Sequence, residues 1–206
     1  MKMDTLFLYR IGRSLINCTN MLKDRGYIVN DDINDPYEYA GRLYKLSNET
    51  KVSLADAARA VFTHKDGHTI ALWCLDRNYD IAKSRERMVS TDQMKAINEL
   101  IEHHDADKHI VISPNKLSPQ AKKEYLRAEI FLFDELMIDL PRHEMVYKHS
   151  LVSEDTVKSV LGLALNISDL PRLPSTDPVA KWYAFPIGSV VFVDNPSIKT
   201  FRIVVA

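Results

Sequence analysis

The sequence has little cysteine: Cys18 and Cys74 are the only two among 206 residues. So few cysteines exclude the disulfide framework that holds small secreted domains together, and they exclude a zinc site made of cysteines alone. Cys18 also falls on an apolar helical stripe. We therefore expect both residues to be buried, reduced thiols.

Long hydrophobic runs are absent as well. The longest runs, IALWCL (70–75) and VVFV (190–193), are far shorter than a membrane span. Near the N-terminus, Asp4 and Arg10 surround an apolar patch that is too brief for a secretory signal. These absences favour a soluble intracellular protein with no membrane partner.

An excess of charge of one sign is also missing, since the formal net charge is −1. Residues 1–138 contain 20 Lys and Arg against 21 Asp and Glu, and residues 139–206 contain 7 of each, which gives the totals of 27 and 28. An autonomous nucleic-acid-binding protein has a strongly basic surface. Any contact with nucleic acid is therefore local or depends on a partner.

The N-terminal third is predicted to be helical. Apolar residues at alternating spacings of three and four predict a first amphipathic helix that ends at Gly26; they are Leu8, Ile11, Leu15, Cys18 and Leu22. Its opposite, polar face is predicted to contain Arg10, Arg13, Asn17, Asn20 and Asp24. A second helix begins with Asp35 as cap and Pro36 in its first turn, and buries Ala40, Leu43 and Tyr44. The segment SLADAARAVF (53–62) predicts a third, weaker helix.

From residue 68 the pattern changes to alternating strands and helices. HTIALWCL predicts a buried strand, and HIVIS (109–113) and EIFLFDELMI (129–138) supply two further apolar runs. Between them lie a helix over 91–104, capped by Thr91, and a helix opened by Ser118 and Pro119. The inward residues of the helix over 91–104 are predicted to be Met94, Ile97, Leu100 and Ile101. This order predicts a largely parallel sheet with right-handed crossovers.

After residue 138 the composition changes again. A short helix from Ser153 precedes proline-rich turns, and Asp177 with Pro178 begins another brief helix. Two strands, SVVFV and KTFRIVV, then form a terminal hairpin, which the chain enters through Gly188. We therefore predict two domains: an α/β domain over residues 1–138 and a small α+β domain over residues 139–206.

Few side chains suggest a metal site. His64 and His68 are four residues apart, but Asp66 and Gly67 between them predict a turn, and no third ligand has the spacing of a known motif. His103, His104 and His109 surround the end of a helix and the start of a strand, where solvated histidines are common. The sequence therefore predicts no metal and no cofactor.

One catalytic alternative is a stand-alone, magnesium-dependent nuclease of α/β fold. Glu49, Thr50 and Lys51 give a Glu-x-Lys triplet, and upstream carboxylates lie at Asp31, Asp32 and Asp35. The triplet precedes a predicted helix and does not lie on a strand that would fix both side chains at a metal. The simpler interpretation is a solvated loop.

The C-terminal segment LPRLPSTDPVAKWYAFPIGSVVFV (170–193) resembles the signature of the fifth-largest subunit of eukaryotic nuclear RNA polymerases, a family that also has an archaeal counterpart. The matching residues are Leu170, Pro171, Arg172, Asp177, Pro178, Val179, Ala180, Gly188, Val190 and Val191. HEMVYKH (143–149), LSPQAKK (117–123) and LKDRGYIV (22–29) resemble further family segments. The chain departs from the family pattern at Tyr147, Lys181, Trp182, Tyr183 or Ala184 (where a Gly is usual), Asp194 and Asn195.

The resemblance implies a noncatalytic structural subunit of a nuclear polymerase, or of a viral one located in the host cytoplasm or the virion. It implies an N-terminal jaw near downstream duplex DNA and a C-terminal assembly domain that docks on the largest subunit, with no small-molecule substrate. The implied DNA-proximal residues are Ser118, Pro119, Gln120, Lys122 and Lys123. The implied docking residues are His143, His149, Arg172, Asp177, Pro178, Val179, Lys181 and Gly188.

Overall fold

The computed structural model describes residues 5–30, 33–80, 85–123, 127–161 and 167–206. The chain divides into two compact units, Met1–Met137 and Ile138–Ala206. None of the helices described is long and apolar enough to cross a membrane. The roles of the two units as jaw and assembly domain stay predictions.

The first unit contains four helices and seven strands among its described residues. The helices are α1 (Thr5–Asp24), α2 (Pro36–Thr50), α3 (Leu54–Ala57) and α4 (Thr91–Glu102). The strands are β1 (Tyr27–Ile28), β2 (Ala60–His64), β3 (Thr69–Cys74), β4 (Tyr79–Asp80), β5 (Arg85–Glu86), β6 (Lys108–Ser113) and β7 (Glu129–Leu132). Two 3₁₀ turns, Ala121–Lys123 and Phe133–Leu136, flank β7.

A five-stranded mixed sheet in the order β1-β2-β3-β6-β7 forms the centre of this unit. β3, β6 and β7 are parallel, as predicted, and α4 packs on them through Ile97 and Ile101 against Trp73 and Val111. The pairs β1–β2 and β2–β3 are antiparallel. The prediction of a largely parallel sheet was therefore correct for three of the five strands.

The predicted helix over 53–62 was wrong beyond its first turn. Ser53 caps α3 by accepting a hydrogen bond from the Asp56 amide (3.0 Å), but the helix ends at Ala57. The following AVFTH segment pairs with β3 from Ala60 opposite Leu72 to Thr63 opposite Thr69. Branched and aromatic side chains favour this strand, and the pairing overrides the weak helical tendency of the preceding alanines.

Helix α1 follows its predicted apolar stripe, with Ile11, Leu15, Cys18 and Leu22 buried. Asn17 was predicted on the polar face, but it is buried, and its Nδ2 donates to the Leu136 carbonyl (2.8 Å). The 3₁₀ turn after β7 covers that face of the helix. The carbonyl of Leu136 in this turn needs a hydrogen-bond donor, which explains why a polar side chain is buried there.

Three smaller predictions also need correction. Tyr44 on α2 and Leu100 on α4 are exposed, because only the adjoining positions Leu43 and Ile101 face the core. The cap of α4 is Ser90, one residue before the predicted Thr91. Ser90 Oγ accepts from the Gln93 amide (3.3 Å), and Gln93 Oε1 accepts from the Ser90 amide (3.1 Å).

The second unit is a four-stranded sheet with a helix on each face. Its elements are β8 (Lys148–Val152), α5 (Glu154–Leu161), β9 (Arg172–Pro174), α6 (Pro178–Tyr183), β10 (Val190–Asp194) and β11 (Lys199–Val205). The strand order is β8-β10-β11-β9, with β9 parallel to β11 and the other pairs antiparallel. The β10–β11 pair confirms the predicted terminal hairpin, whereas the sequence analysis did not predict strands β8 and β9.

Successive residues of β10 point to opposite faces and so define two cores. Val191 packs with Ala180 of α6 and with Val204, whereas Val190 packs with Val157 of α5. Both faces of this sheet are therefore covered, and its edge strands β8 and β9 are the parts left for other contacts.

Candidate functional site

The corner between β9 and β10 is built around the first turn of α6. The Asp177 carboxylate accepts hydrogen bonds from the amides of Val179 (2.9 Å) and Ala180 (3.4 Å), as expected of a helix cap. Pro178 follows as the first helical residue, where no amide donor is required. This carboxylate stabilises its own helix, so its role is internal to the unit.

Two more of the predicted docking residues have an internal role. Val179 is buried in the unit. Gly188 has a φ of +87° at the entry to β10, and its amide donates to the Val204 carbonyl (2.9 Å). These residues of the motif that resembles the family signature therefore stabilise the local fold.

Of the predicted docking side chains in this corner, Val179 is buried and four reach solvent: Arg172, Asp177, Pro178 and Lys181. Arg172 is the first residue of the edge strand β9, it is exposed, and its guanidinium makes no hydrogen bond or ion pair with the residues that the structure describes. Pro178 is exposed and Lys181 is half-buried. Arg172 is therefore the side chain best placed to contact another molecule.

The two predicted histidines lie elsewhere in the unit. His149 is on the opposite edge strand, β8, across from Val193, and its Nδ1 lies 2.7 Å from the Tyr147 carbonyl. His143 is exposed in the preceding turn, where its Nδ1 accepts from the Met145 amide (3.2 Å). Two strands separate β8 from β9, a distance of about 14 Å between the edges. The predicted docking residues thus form two groups, one at each edge.

The sequence analysis missed an apolar group next to β8. Met145, Tyr147 and Leu151 are all exposed large side chains, and they lie in β8 or just before it. Strand β8 pairs only with β10 among the described strands, so its outer edge has backbone groups available for hydrogen bonding. The sequence of β8, KHSLV, has neither the apolar run nor the regular alternation that indicated the other strands.

The segment predicted to face DNA is anchored at its base and exposed at its tip. Val89 accepts from the Ser118 amide (3.1 Å) and donates to the Lys116 carbonyl (2.9 Å), while Ala121 is fully buried. The exposed residues of the segment are Lys116, Pro119, Gln120, Lys122 and Lys123. The side-chain amines of Lys122 and Lys123 make no hydrogen bond or ion pair with other described residues.

The helix predicted to open at Ser118 is a three-residue 3₁₀ turn, Ala121–Lys123, in the part of the chain that is described; residues 124–126 lie outside it. Ser118 Oγ accepts from the Ala121 amide (3.1 Å), so this donor is already used. The described part of this segment is therefore a short turn and not a regular α-helix. The lysines are the remaining basic groups.

The turn between β2 and β3 brings together residues that the sequence analysis expected it to separate. The imidazole rings of His64 and His68 stack with centroids 4.2 Å apart, and Asp66 Oδ2 lies 3.3 Å from His64 Nδ1. His109 was expected to be solvated but is buried, and its Nδ1 accepts from the Trp73 indole (3.2 Å).

The residues of the nuclease alternative do not converge among the described ranges. Glu49 is exposed on α2 and pairs with Lys45 (3.9 Å), Lys51 caps the end of that helix, and Asp35 caps its start. Asp31 and Asp32 lie outside the described residues. The thiols are also unsuited to nucleophilic chemistry, because burial raises the pKa of both Cys18 and Cys74 to about 12.

Comparison with known proteins shows which proteins this chain is similar to. The model of the RNA polymerase Rpb5 C-terminal domain matches residues 138–205, which is almost the whole of the second unit. Subunit RPABC1 of DNA-directed RNA polymerases I, II and III from Caenorhabditis elegans is 26% identical over 220 residues, covering 98% of this chain and 99% of the relative. The second unit is thus similar to the Rpb5 C-terminal domain, and the whole chain is similar to a polymerase subunit.

Other polymerase subunits also align over most of the chain. RPABC1 of Caenorhabditis briggsae is 26% identical, covering 98% of this chain and 99% of the relative. Subunit 5B of polymerases IV and V from Arabidopsis thaliana is 23% identical, covering 84% and 77%. These similarities confirm the resemblance found in the sequence.

Proposed function

We propose that this chain is a structural subunit of a multisubunit nuclear RNA polymerase, and that its second unit docks on the largest subunit. The observation that supports this most directly is the match of the Rpb5 C-terminal domain model to residues 138–205, which coincide with a compact unit that has its own two cores. Relatives named as polymerase subunits align over nearly the full chain.

Both edges of the C-terminal sheet suit a protein partner. At β9, Arg172 presents an exposed planar guanidinium that can hold a carboxylate through two hydrogen bonds. At β8, exposed Met145, Tyr147 and Leu151 lie beside an open strand edge, a combination that accepts an added strand and an apolar contact. The largest subunit would be held at these two edges.

The docking proposal is tested by capture of the full chain with the purified largest subunit. Arg172→Ala should weaken capture by about tenfold, because a charged contact at an interface is lost, while thermal unfolding stays unchanged. Arg202→Ala is the matched control, since Arg202 is an exposed arginine of the neighbouring strand β11 and should leave capture unchanged. The proposed role would be contradicted if the largest subunit captured Arg172→Ala as well as it captures wild type, or if the variant were unfolded.

For the first unit, we propose a place near downstream duplex DNA. The supporting observation is the group of exposed lysines, Lys116, Lys122 and Lys123, on a segment whose base is fixed by Val89. Lysines near a DNA backbone contribute affinity that falls as salt concentration rises. The unit as a whole is close to neutral, so this contact would depend on the assembled polymerase.

The DNA proposal is tested with polymerase reconstituted around the variant subunit. Lys122→Glu with Lys123→Glu should weaken retention of downstream duplex and lower its salt dependence, without loss of the subunit. Lys95→Glu with Lys108→Glu reverses two other exposed lysines of the same unit and serves as the control for charge alone. Equal retention by the two double variants across a salt series would exclude a specific role for Lys122 and Lys123.

A further inference from the structure

The β2–β3 turn of the first unit places two imidazoles and a carboxylate side by side. The His64 amide donates to the His68 carbonyl (2.7 Å), the Gly67 amide donates to the His64 carbonyl (2.9 Å), and Gly67 has a φ of +92°. This tight turn stacks the two histidine rings with Asp66 next to them. One ligand atom from each of the three side chains lies within 4.8 Å of the others.

Hydrogen bonds to α1 and β1 orient both rings. His64 Nε2 lies 3.1 Å from the Arg25 carbonyl, which can only accept, so this nitrogen carries the proton and Nδ1 is left with its lone pair. His68 Nε2 lies 3.1 Å from the Tyr27 hydroxyl, which leaves Nδ1 as the second available nitrogen. Metal-bound histidines in proteins are held in this way, with the distal nitrogen donating to a carbonyl or another oxygen.

We propose that His64, Asp66 and His68 bind a divalent transition-metal ion such as Zn²⁺. Two imidazole nitrogens and one carboxylate oxygen form a ligand set that suits Zn²⁺ better than Mg²⁺ or Ca²⁺, which prefer oxygen ligands alone. Water would complete a tetrahedral site. The site is independent of the proposed docking and DNA contacts, since none of its residues belongs to either surface.

Binding requires the two rings to tilt, because a metal ion lies in the plane of each imidazole that binds it and the rings are stacked at an angle of 22°. Ligand atoms around a tetrahedral zinc ion lie about 3.4 Å apart, so the three side chains must move closer together. Asp66 is free to do this, because 80% of its side chain is exposed. The ion would replace the hydrogen bond from the Asp66 amide to His64 Nδ1 (3.1 Å), and water can then take that exposed amide.

The alternative role for the cluster is purely structural. The Tyr27 ring packs edge-on against His64 (5.1 Å) and His68 (5.4 Å), so the rings also connect β1 to the turn. Asp66 separates the two roles, since its exposed carboxylate contributes to metal binding but has no part in the packing of the rings. Asp66→Asn therefore removes a ligand and leaves the aromatic contacts in place.

The test is a calorimetric titration of the full chain with ZnCl₂, supported by the absorption spectrum of the Co²⁺ complex. Wild type should bind one equivalent and unfold at a higher temperature when Zn²⁺ is present. Asp66→Asn and His68→Ala should each weaken binding by about tenfold or more, and Tyr27→Phe, which removes an orienting hydroxyl, by about tenfold. His103→Ala is the control, because His103 is exposed at the end of α4 and outside the cluster.

Two results would overturn the proposal. One is the absence of saturable Zn²⁺ binding by the wild-type chain. The other is binding whose affinity is the same in wild type, Asp66→Asn and His68→Ala, which would place the ion elsewhere. If His68→Ala lowers the melting temperature without Zn²⁺ while Asp66→Asn leaves the Zn²⁺ affinity unchanged, the cluster has the structural role.

Discussion

Arg25 holds Glu129 through two parallel hydrogen bonds, Nη1 to Oε1 at 2.9 Å and Nη2 to Oε2 at 2.7 Å. The pair joins the end of α1 to the first residue of β7, the last strand in the sheet order of the first unit. Only 6% of the Arg25 side chain is exposed, against 35% for Glu129. The guanidinium is thus largely desolvated, and the Glu129 carboxylate accepts from both of its outer nitrogens.

Loss of this carboxylate should destabilise the first unit. Glu129→Gln removes the carboxylate that pairs with this buried guanidinium, so we expect the free energy of unfolding to fall by about 2 kcal/mol in chemical denaturation. Asp134→Asn is the control: Asp134 pairs with Arg10 at 2.7 Å, but 65% of its side chain is exposed, so we expect a loss of under about 1 kcal/mol. Equal losses of stability in the two variants would show that burial of the ion pair does not determine its contribution.

Two helical glycines should respond in opposite directions to alanine. A Cβ at Gly12 of α1 would overlap the carbonyl oxygen of Pro36 on α2, whereas a Cβ at Gly41 of α2 would meet nothing within 4 Å. Gly12→Ala should therefore lower the free energy of unfolding by about 2 kcal/mol, because the helices must separate. Gly41→Ala should raise it by about 0.5–1 kcal/mol through helix propensity. Denaturant melts of both variants measure this contrast, and stabilisation by Gly12→Ala would contradict the close approach.

Ala184 occupies a backbone conformation that favours glycine. It ends α6 with a φ of +52°, at one of the two positions where the related family signature usually has a glycine. Ala184→Gly should raise the melting temperature, with a gain of about 1 kcal/mol, because the strain of the left-handed residue is relieved. The converse change, Gly188→Val, should destabilise the unit, since Gly188 has a φ of +87° and its Cβ would meet no atom within 4 Å. A loss there would therefore reflect backbone strain alone.

The stability of the first unit should depend on the charge of His109. Burial, and then the nearby His104, lower the pKa of His109 below its ordinary value of 6.5. Folding therefore favours the neutral form of His109. The stability that depends on this neutral form is fully present above about pH 6.5, and it is lost as the pH falls through the lower pKa that His109 has in the folded state. His109→Gln should reduce the loss of stability between about pH 7 and pH 5. His103→Gln replaces an exposed histidine and should lose as much stability between these pH values as wild type. A pH profile of stability for His109→Gln that equals that of wild type would contradict the role of His109.

The sequence was most informative where structure depends on neighbouring residues. The stripe of α1, the Asp35 and Asp177 caps and the β10–β11 hairpin were all predicted from patterns that span a few residues. Asp177 was also predicted as a docking residue, but its carboxylate is used in capping. A family motif can thus be recognised correctly while the role of each residue within it is decided by the fold.

Long-range contacts account for what the sequence analysis missed. Asn17 resembles a surface residue until the 3₁₀ turn over Phe133–Leu136 covers it, and Ala60–His64 resembles the end of a helix until β3 pairs with it. His64 and His68 were set aside as a metal site because a turn was predicted between them and no third ligand had the spacing of a known motif. In a hairpin turn, the same spacing stacks the two rings.

The strand order of the second unit also determines how it acquires its structure. β10 and β11 are neighbours in sequence and can pair within about 1–10 μs. β8 reaches β10 only after the chain has closed around α5, β9 and α6, and β9 must return across α6 to lie parallel to β11. Such distant pairings are slow. We therefore expect the hairpin to pair before the two edge strands join it, so that Val191 and Val204 are covered late in folding.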